Sequence, residues 1–392
     1  MTIAVKRYTS AMTGAPTLTG TAGTLVTLLD ACLKDGFNSQ SISSASQTGG
    51  VATLTFSGAH GYAVNDVIAI SGANEAAWNH EFRVLTTPLT TTLTFAIDAG
   101  TTSPATGTLS AKTAPLGWTK PFSGTNKAAY LPKAQYVQCY LRVLDDSSTP
   151  TSANGRWAKL RGYESMSDVD TGTGPFPDTT QAANALTCWK SSTSDSTART
   201  WWLVGDGGIA YLGIAASAGA PGVYGGYAFG DINSLKSGDA YSCLLSAWAA
   251  GVDTLPSNYG TSMVFTTLGA PGATQAGRYL ARTYTQLGTA IACGFMGDNG
   301  VSTVMGAAGV AYPHPPDNGL LFAPVAVVEN SILRSRALPG LYTPLHANPL
   351  ALLATVTDVP DLPGRTLQAF GLVTGNTNAA QCLIDITGPS WR

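Results

Sequence analysis

The sequence contains few charged side chains. Lys and Arg number 21 and Asp and Glu 23, so charged residues make up 11% of the 392-residue chain, against about 25% in an ordinary soluble domain. The net charge of −2 creates no long-range field, and the basic residues are scattered, so we expect no nucleic acid and no membrane as a partner. Because the cores of interfaces are depleted in charge, this composition favours permanent assembly with other protein subunits.

Cysteine spacings typical of a metal or redox site are also missing. No CxxC motif occurs, which argues against a structural zinc site and against a redox pair. We expect buried free thiols, no metal ligands and no cofactor. The six cysteines are Cys32, Cys139, Cys188, Cys243, Cys293 and Cys382.

Long apolar runs are absent too. The longest, near Leu320 to Val328, is interrupted by Pro324, and no apolar segment follows Lys6 and Arg7. We therefore expect neither a signal peptide nor a membrane span.

Turn-forming and aromatic residues are abundant. The chain has 44 Gly and 22 Pro, so turns are frequent and helices few. Its 8 Trp, 15 Tyr and 11 Phe supply enough apolar surface to offset chain entropy, which excludes disorder. We predict a mainly β fold of several small β-sandwich or barrel domains with one short N-terminal helix.

The sequence pattern predicts how these elements are arranged. Thr24 can cap a helix whose leucines, from Leu25 to Leu33, share one face before Gly36 ends it. Five short strands with a period of two occupy Gly50 to Ala111. We predict an N-terminal β domain with the helix (1–46 plus 114–177), an inserted small β-barrel (47–113) and a C-terminal β-rich domain (178–392).

A set of residues in the inserted segment carries a resemblance to a known module. They are His60-Gly61-Tyr62, Val64, Asp66, Val67, Ile70-Ser71-Gly72, Trp78-Asn79, Phe82 and Val84. The segment resembles the small β-barrel that is named for the first catalytic-cysteine half-domain of ubiquitin-activating enzymes and recurs as an inserted decoration in phage virion proteins. The resemblance implies a fold and carries no ubiquitin chemistry.

Sequence blocks between residues 117 and 389 carry a second resemblance. They are Gly117-Trp118, Pro121 to Lys127, Gly162-Tyr163-Glu164 with Met166 and Asp168, Phe229 to Ile232, Gly238-Asp239-Ala240, Leu338 to Leu341, Leu345-His346 and Asp385 to Pro389. Through these blocks the larger part of the chain resembles a family of tailed-bacteriophage virion proteins of poorly defined role. It departs from that family at Arg334-Ser335-Arg336, where Arg-Gly-Arg is expected, which puts the geometry of that turn in doubt.

Catalytic constellations are not visible in the sequence. The four histidines, His60, His80, His314 and His346, lack the spacing of a metal site or a catalytic triad. Paired carboxylates suit glycoside hydrolysis, but both candidate pairs, Asp145-Asp146 and Asp168 with Asp170, are more typical of turns. Asp168 to Gly172 only partly matches a calcium loop, because the distal Glu is missing. We predict no enzyme and no catalytic, cofactor-binding or metal-binding residues.

Clustered aromatic residues leave one alternative open. Trp201-Trp202 and the group Tyr224, Tyr227 and Phe229 can stack on sugar rings, although such residues are more typical of cores and subunit interfaces. We predict a structural virion component, in the tail or baseplate, that binds copies of itself and other virion proteins after assembly in the host bacterial cytoplasm. The alternatives are a host-receptor or glycan-binding appendage, or a head or neck decoration protein.

Overall fold

The computed structural model describes residues 4–146, 155–248, 276–296, 310–346, 350–357, 359–374 and 377–392. The protein is 46% strand and 5% helix, so the predicted mainly β fold with several sheets and one short helix is confirmed. In these ranges no helix is both long enough and apolar enough to cross a lipid bilayer.

A 13-stranded antiparallel sheet forms the centre of the fold. It contains, numbered in chain order, β1 (Lys6–Thr9), β8 (Thr119–Gly124), β9 (Lys127–Leu131), β10 (Tyr140–Leu144), β11 (Trp157–Met166), β12 (Gly172–Phe176), β13 (Leu186–Trp189), β14 (Trp201–Gly205), β15 (Ile209–Ile214), β16 (Gly225–Asp231), β17 (Cys243–Trp248), β18 (Ala276–Leu280) and β19 (Ile291–Ala292). The main path runs β1-β14-β15-β16-β17-β13-β11-β10-β9-β8.

The predicted domain boundary at residue 177 falls inside this sheet. β11, before the boundary, pairs with β13, after it, and places Trp157 opposite Trp189. Both strands contribute to the same apolar core. The segments 114–177 and 178–392 therefore share a sheet and a core, a pairing between distant strands that the sequence pattern does not reveal.

Both faces of the central sheet are buried around β14. Successive side chains of a strand point to opposite faces, so Trp201 and Leu203 pack in one core and Trp202 and Val204 in another. Two smaller sheets cover the second face. The first has three strands, in the order β20 (Gly294–Met296), β22 (Ala326–Glu329) and β23 (Ile332–Ser335). The second has five, in the order β21 (Phe322–Pro324), β24 (Leu341–Pro344), β27 (Thr377–Asp385), β26 (Leu367–Thr374) and β25 (Thr355–Val356).

The predicted helix is present and buries the predicted leucine face. It comprises α1 (Thr24–Leu29) and a following π-helical turn (Asp30–Asp35). The prediction that Thr24 caps this helix is wrong. Gly23 is the N-cap, with φ +83°, and the Thr24 hydroxyl donates instead to the carbonyls of Thr19 and Thr21. Glycine adopts this left-handed conformation without steric cost. Because glycine has no side chain, it forms no side-chain cap.

A distant carboxylate stabilises the start of α1. The Leu25 amide donates to Oδ2 of Asp145 at 2.8 Å, and Oδ1 of Asp145 accepts from Lys190, with both side chains fully buried. Burial raises the pKa of Asp145 and lowers the pKa of Lys190, while each charge opposes the shift of the other. A buried ion pair therefore joins the start of the helix to Lys190, the residue that follows β13.

The inserted module is a closed six-stranded barrel of order β2-β3-β6-β5-β4-β7 with its own core. It starts at Phe37, before the predicted boundary at 47, because the polar strand β2 belongs to it. Phe37 lies opposite Thr113, so the two ends of the barrel are adjacent. The strands are β2 (Phe37–Thr48), β3 (Val51–Phe56), β4 (Val67–Ala73), β5 (Glu81–Leu89), β6 (Thr92–Ala96) and β7 (Gly107–Thr113).

Charged side chains attach the barrel to the central sheet. The ammonium of Lys6 in β1 contacts Oε1 of Glu81 at 2.7 Å, and Arg7 contacts Oδ1 of Asp66 at 3.1 Å. From the barrel, the Arg83 guanidinium donates to the carbonyls of Val5 and Ile386, each at 2.9 Å. The contact between the two units is therefore strongly polar, whereas each unit is apolar inside.

The buried Lys6 predicts a pH dependence of stability. Burial lowers its pKa from the ordinary 10.5 to about 8, so between these values the unfolded chain binds more protons than the folded protein, and stability rises with pH. Across this pH interval we expect the free energy of unfolding of wild type to rise by up to about 3 kcal/mol more than that of Lys6→Met. Urea unfolding of both proteins between pH 8 and pH 10 measures the difference, and parallel pH profiles would contradict it.

The adjacent ends of the barrel predict that it can be removed. Deleting residues 38–113 and joining Phe37 to Ala114 through a short Gly-Ser linker should leave the rest of the chain folded, because the barrel has a separate core and Phe37, which packs in the core of the central sheet, is kept. Near-ultraviolet circular dichroism and a cooperative thermal transition of the deletion variant test this. Loss of the transition would show that the central sheet needs the barrel in order to fold.

Candidate functional site

The histidines have structural partners. Nδ1 of buried His60 accepts the Tyr62 amide at 2.9 Å, and Nε2 of His346 accepts the Leu321 amide at 2.8 Å. His314 contacts Asp317 on the surface, and His80 is exposed. Across the described ranges no group of three or more His, Cys, Asp and Glu residues could hold a metal ion.

The carboxylates considered for catalysis lie in different environments. Asp145 is buried in the ion pair with Lys190 and not in an exposed turn. Oδ1 of Asp168 accepts the Asp170 amide at 2.7 Å, which is the turn geometry expected from the sequence. Asp170 pairs with Lys127 and with Arg142, so its charge is already compensated.

The cysteine thiols are buried and free, as predicted. Burial raises the pKa of Cys293 to about 12 and raises the pKa values of Cys32, Cys188, Cys243 and Cys382 as well. Because the thiolate is the reactive form, these thiols are poor nucleophiles at neutral pH.

The aromatic residues considered for sugar binding lie inside the protein. Trp201, Trp202, Tyr227 and Phe229 are at most 3% exposed, and Tyr224 is 6% exposed. Trp202 packs on Phe370 with ring centroids 4.4 Å apart. These side chains are core residues, which is one of the two roles that the sequence pattern favours, and they form neither a sugar platform nor a subunit interface.

Other apolar side chains remain exposed on two loops and on the neighbouring β22–β23 hairpin, where Ile332 and Leu333 begin β23. Hydrogen bonds join the loops: the Leu235 amide donates to the Arg334 carbonyl at 2.8 Å, and Lys236 donates to the Tyr284 carbonyl at 2.7 Å. We call these side chains the three-loop rim. They are Leu235, Tyr284, Leu287, Ile332 and Leu333, of which Leu287 is the most exposed at 71%.

A buried charge network lies beneath the three-loop rim. The Arg334 guanidinium contacts Oδ2 of Asp239 at 2.7 Å and also pairs with Glu329 and the Arg282 carbonyl. All three charged side chains of the network are at most 2% exposed. The Tyr284 amide donates to Glu329 at 3.1 Å, so the network holds all three rim loops in place.

Ser335, which stands where the resemblance predicts glycine in Arg-Gly-Arg, has an ordinary backbone conformation. Ser335 lies at the end of β23 with its hydroxyl donating to the Ile232 carbonyl at 2.8 Å and to the Ala337 carbonyl at 2.9 Å. It is not among the residues with positive φ. The backbone there does not require glycine, and serine adds two hydrogen bonds.

No protein-family model matches this chain, and no curated protein matches it either. The likeness to phage virion proteins therefore rests on the matching residue blocks and stays a prediction.

Proposed function

We propose that the protein is a structural component of a tailed-phage virion, placed in the tail or baseplate, and that it acts through protein–protein interfaces. The observation that carries the proposal is the three-loop rim, where exposed apolar side chains are held on loops fixed by a buried charge network. Apolar side chains on a rigid support lose little entropy on binding, as a permanent interface requires.

The composition supports the same function. Only 11% of residues are charged, and obligate interfaces are more apolar and less charged than ordinary surface. A subunit that stays among neighbours needs little surface charge for solubility. The neighbours we propose are copies of this chain and other virion proteins.

A glycan-binding or host-receptor function has less support. It would need exposed aromatic platforms with nearby carboxylates, and the aromatic groups singled out in the sequence are buried. We propose that the protein is not an enzyme.

Disrupting the three-loop rim should block assembly without unfolding the protein. Leu235 and Leu287 are exposed loop residues, so Leu235→Asp with Leu287→Asp should change the free energy of unfolding by less than about 0.5 kcal/mol each. If the rim is an interface, incorporation into particles should fall at least about tenfold, because apolar contacts at interface centres are each worth about 1–2 kcal/mol or more. Quantitative mass spectrometry of purified particles measures incorporation.

The matched control is Leu85→Asp with Leu89→Asp, two exposed leucines on the barrel. The control variant should be incorporated like wild type. Equal incorporation of the rim variant and wild type would contradict the assignment of the rim as an interface.

A further inference from the structure

The outer face of strands β9 to β11 carries a cluster of basic side chains. Arg142 in β10 lies directly opposite Arg161 in β11, and Lys159 lies two residues before Arg161 on the same face. Lys127 in β9 lies opposite Leu144, which extends this basic face by one strand. In a chain with a net charge of −2, such a concentration of positive charge needs a physical reason, because like charges directly opposite each other destabilise a sheet.

Asp170 compensates two of these cations, Arg142 and Lys127. Asp170 contacts Arg142 at 2.6 Å and also pairs with Lys127. Arg161 is 8% exposed, and its Nη2 donates to the carbonyls of Ala182 and Ala183. Within the described ranges, its Nε is buried without an acceptor and no carboxylate pairs with its guanidinium. Asp178 interacts electrostatically with Arg161 but makes no direct ion pair with it, and a buried cation without a paired counterion is costly.

A pocket of about 180 Å³ opens at these side chains. This space is large enough for a small hydrated anion, since about 10–15 Å³ on this measure already holds one water. Lys159 also donates to the Thr187 hydroxyl at 3.0 Å, which fixes the position of its ammonium. The pocket is lined by Arg142, Leu144, Lys159, Arg161, Ala183, Asn184 and Ala185.

We propose that this pocket binds a tetrahedral oxyanion, phosphate or sulfate, either free or as a monoester. Guanidinium groups match the oxygens of such anions through pairs of parallel hydrogen bonds, and the ammonium of Lys159 adds a point charge. A tetrahedral oxyanion presents four oxygens to the side chains that line the pocket, whereas a carboxylate presents two, so the oxyanion can be contacted from more directions at once. The bound anion supplies the negative charge that would pair with the guanidinium of Arg161. This site is independent of the three-loop rim and of the proposed function.

The test is titration of the full-length protein with sodium phosphate at constant ionic strength, followed by isothermal calorimetry and by melting temperature. We expect saturable binding and a melting temperature that rises with the logarithm of the phosphate concentration. Arg161→Gln and the more exposed Lys159→Gln should each weaken phosphate binding at least tenfold. Lys159→Gln keeps the test valid if Arg161→Gln does not fold. Arg336→Gln, an exposed cation outside the pocket, should bind like wild type.

Two outcomes would overturn the proposal. One is a melting temperature that rises equally with sodium chloride and sodium phosphate at matched ionic strength. The other is equal phosphate affinity of wild type and the Lys159→Gln variant. Glycerol phosphate distinguishes the two sources, because tighter binding of this monoester than of inorganic phosphate would assign the site to an esterified ligand.

Discussion

Replacing Arg334 by Met should lower the free energy of unfolding by about 3–5 kcal/mol, the cost of leaving buried charges without a partner. The substitution removes the guanidinium that compensates Asp239 and Glu329, whose side chains are at most 2% exposed. Neither carboxylate can reach water without moving the loops of the three-loop rim. Chemical denaturation followed by tryptophan fluorescence measures the change.

Arg336→Met is the matched control for Arg334→Met, because Arg336 lies two residues further along the chain and is exposed. It should alter stability by less than about 0.5 kcal/mol. Adding Asp239→Asn and Glu329→Gln to Arg334→Met should recover part of the loss by removing both unpaired charges. Similar stabilities for the Arg334 and Arg336 variants would show that the network contributes little.

Replacing Asp145 by Ala should cost a similar amount, about 3–5 kcal/mol. The change leaves the ammonium of Lys190 fully buried without its carboxylate and removes the acceptor of the Leu25 amide. Because burial already lowers the pKa of Lys190 and Asp145 opposes that shift, we expect Lys190 to lose its proton more readily in the variant. The loss of stability is measured by urea unfolding at pH 7.

A double-mutant cycle separates the ion pair from other effects of Asp145→Ala. Lys190→Met in the Asp145→Ala background should restore much of the stability, because a buried pair can be replaced by apolar groups at little cost. Asp35→Ala removes an exposed ion pair with Lys34 and should cost less than about 1 kcal/mol. Failure of Lys190→Met to recover stability would contradict the role given to the pair.

Local patterns predict much of the fold. The period-two alternation predicts the five barrel strands that follow Gly50, and the leucine spacing predicts the buried face of α1. The strand β2 is missed because its Ser- and Gln-rich sequence has few apolar residues to mark a buried face. The continuity of the central sheet across residue 177 is missed because it depends on pairing between strands distant in sequence.

The candidate surfaces are less predictable than the fold. Adjacent residues of a strand point to opposite faces, so if one face of the strand were in solvent, either Trp201 or Trp202 would be exposed. Both faces of β14 are covered, and both side chains are buried. Asp145 has the neighbours of a turn residue, yet its partner Lys190 is 45 residues away. The three-loop rim is formed by separate loops, so no local motif in the sequence marks it.

We propose that this chain is a repeated structural subunit of a tailed-phage particle. A cryo-electron microscopy reconstruction of the particle that contains it tests this proposal directly. We expect multiple symmetry-related copies whose three-loop rim is buried in contacts of about 2,000 Å² or more, as in obligate interfaces. A particle without the chain, or one in which the chain makes no contact of that size, would contradict the proposal.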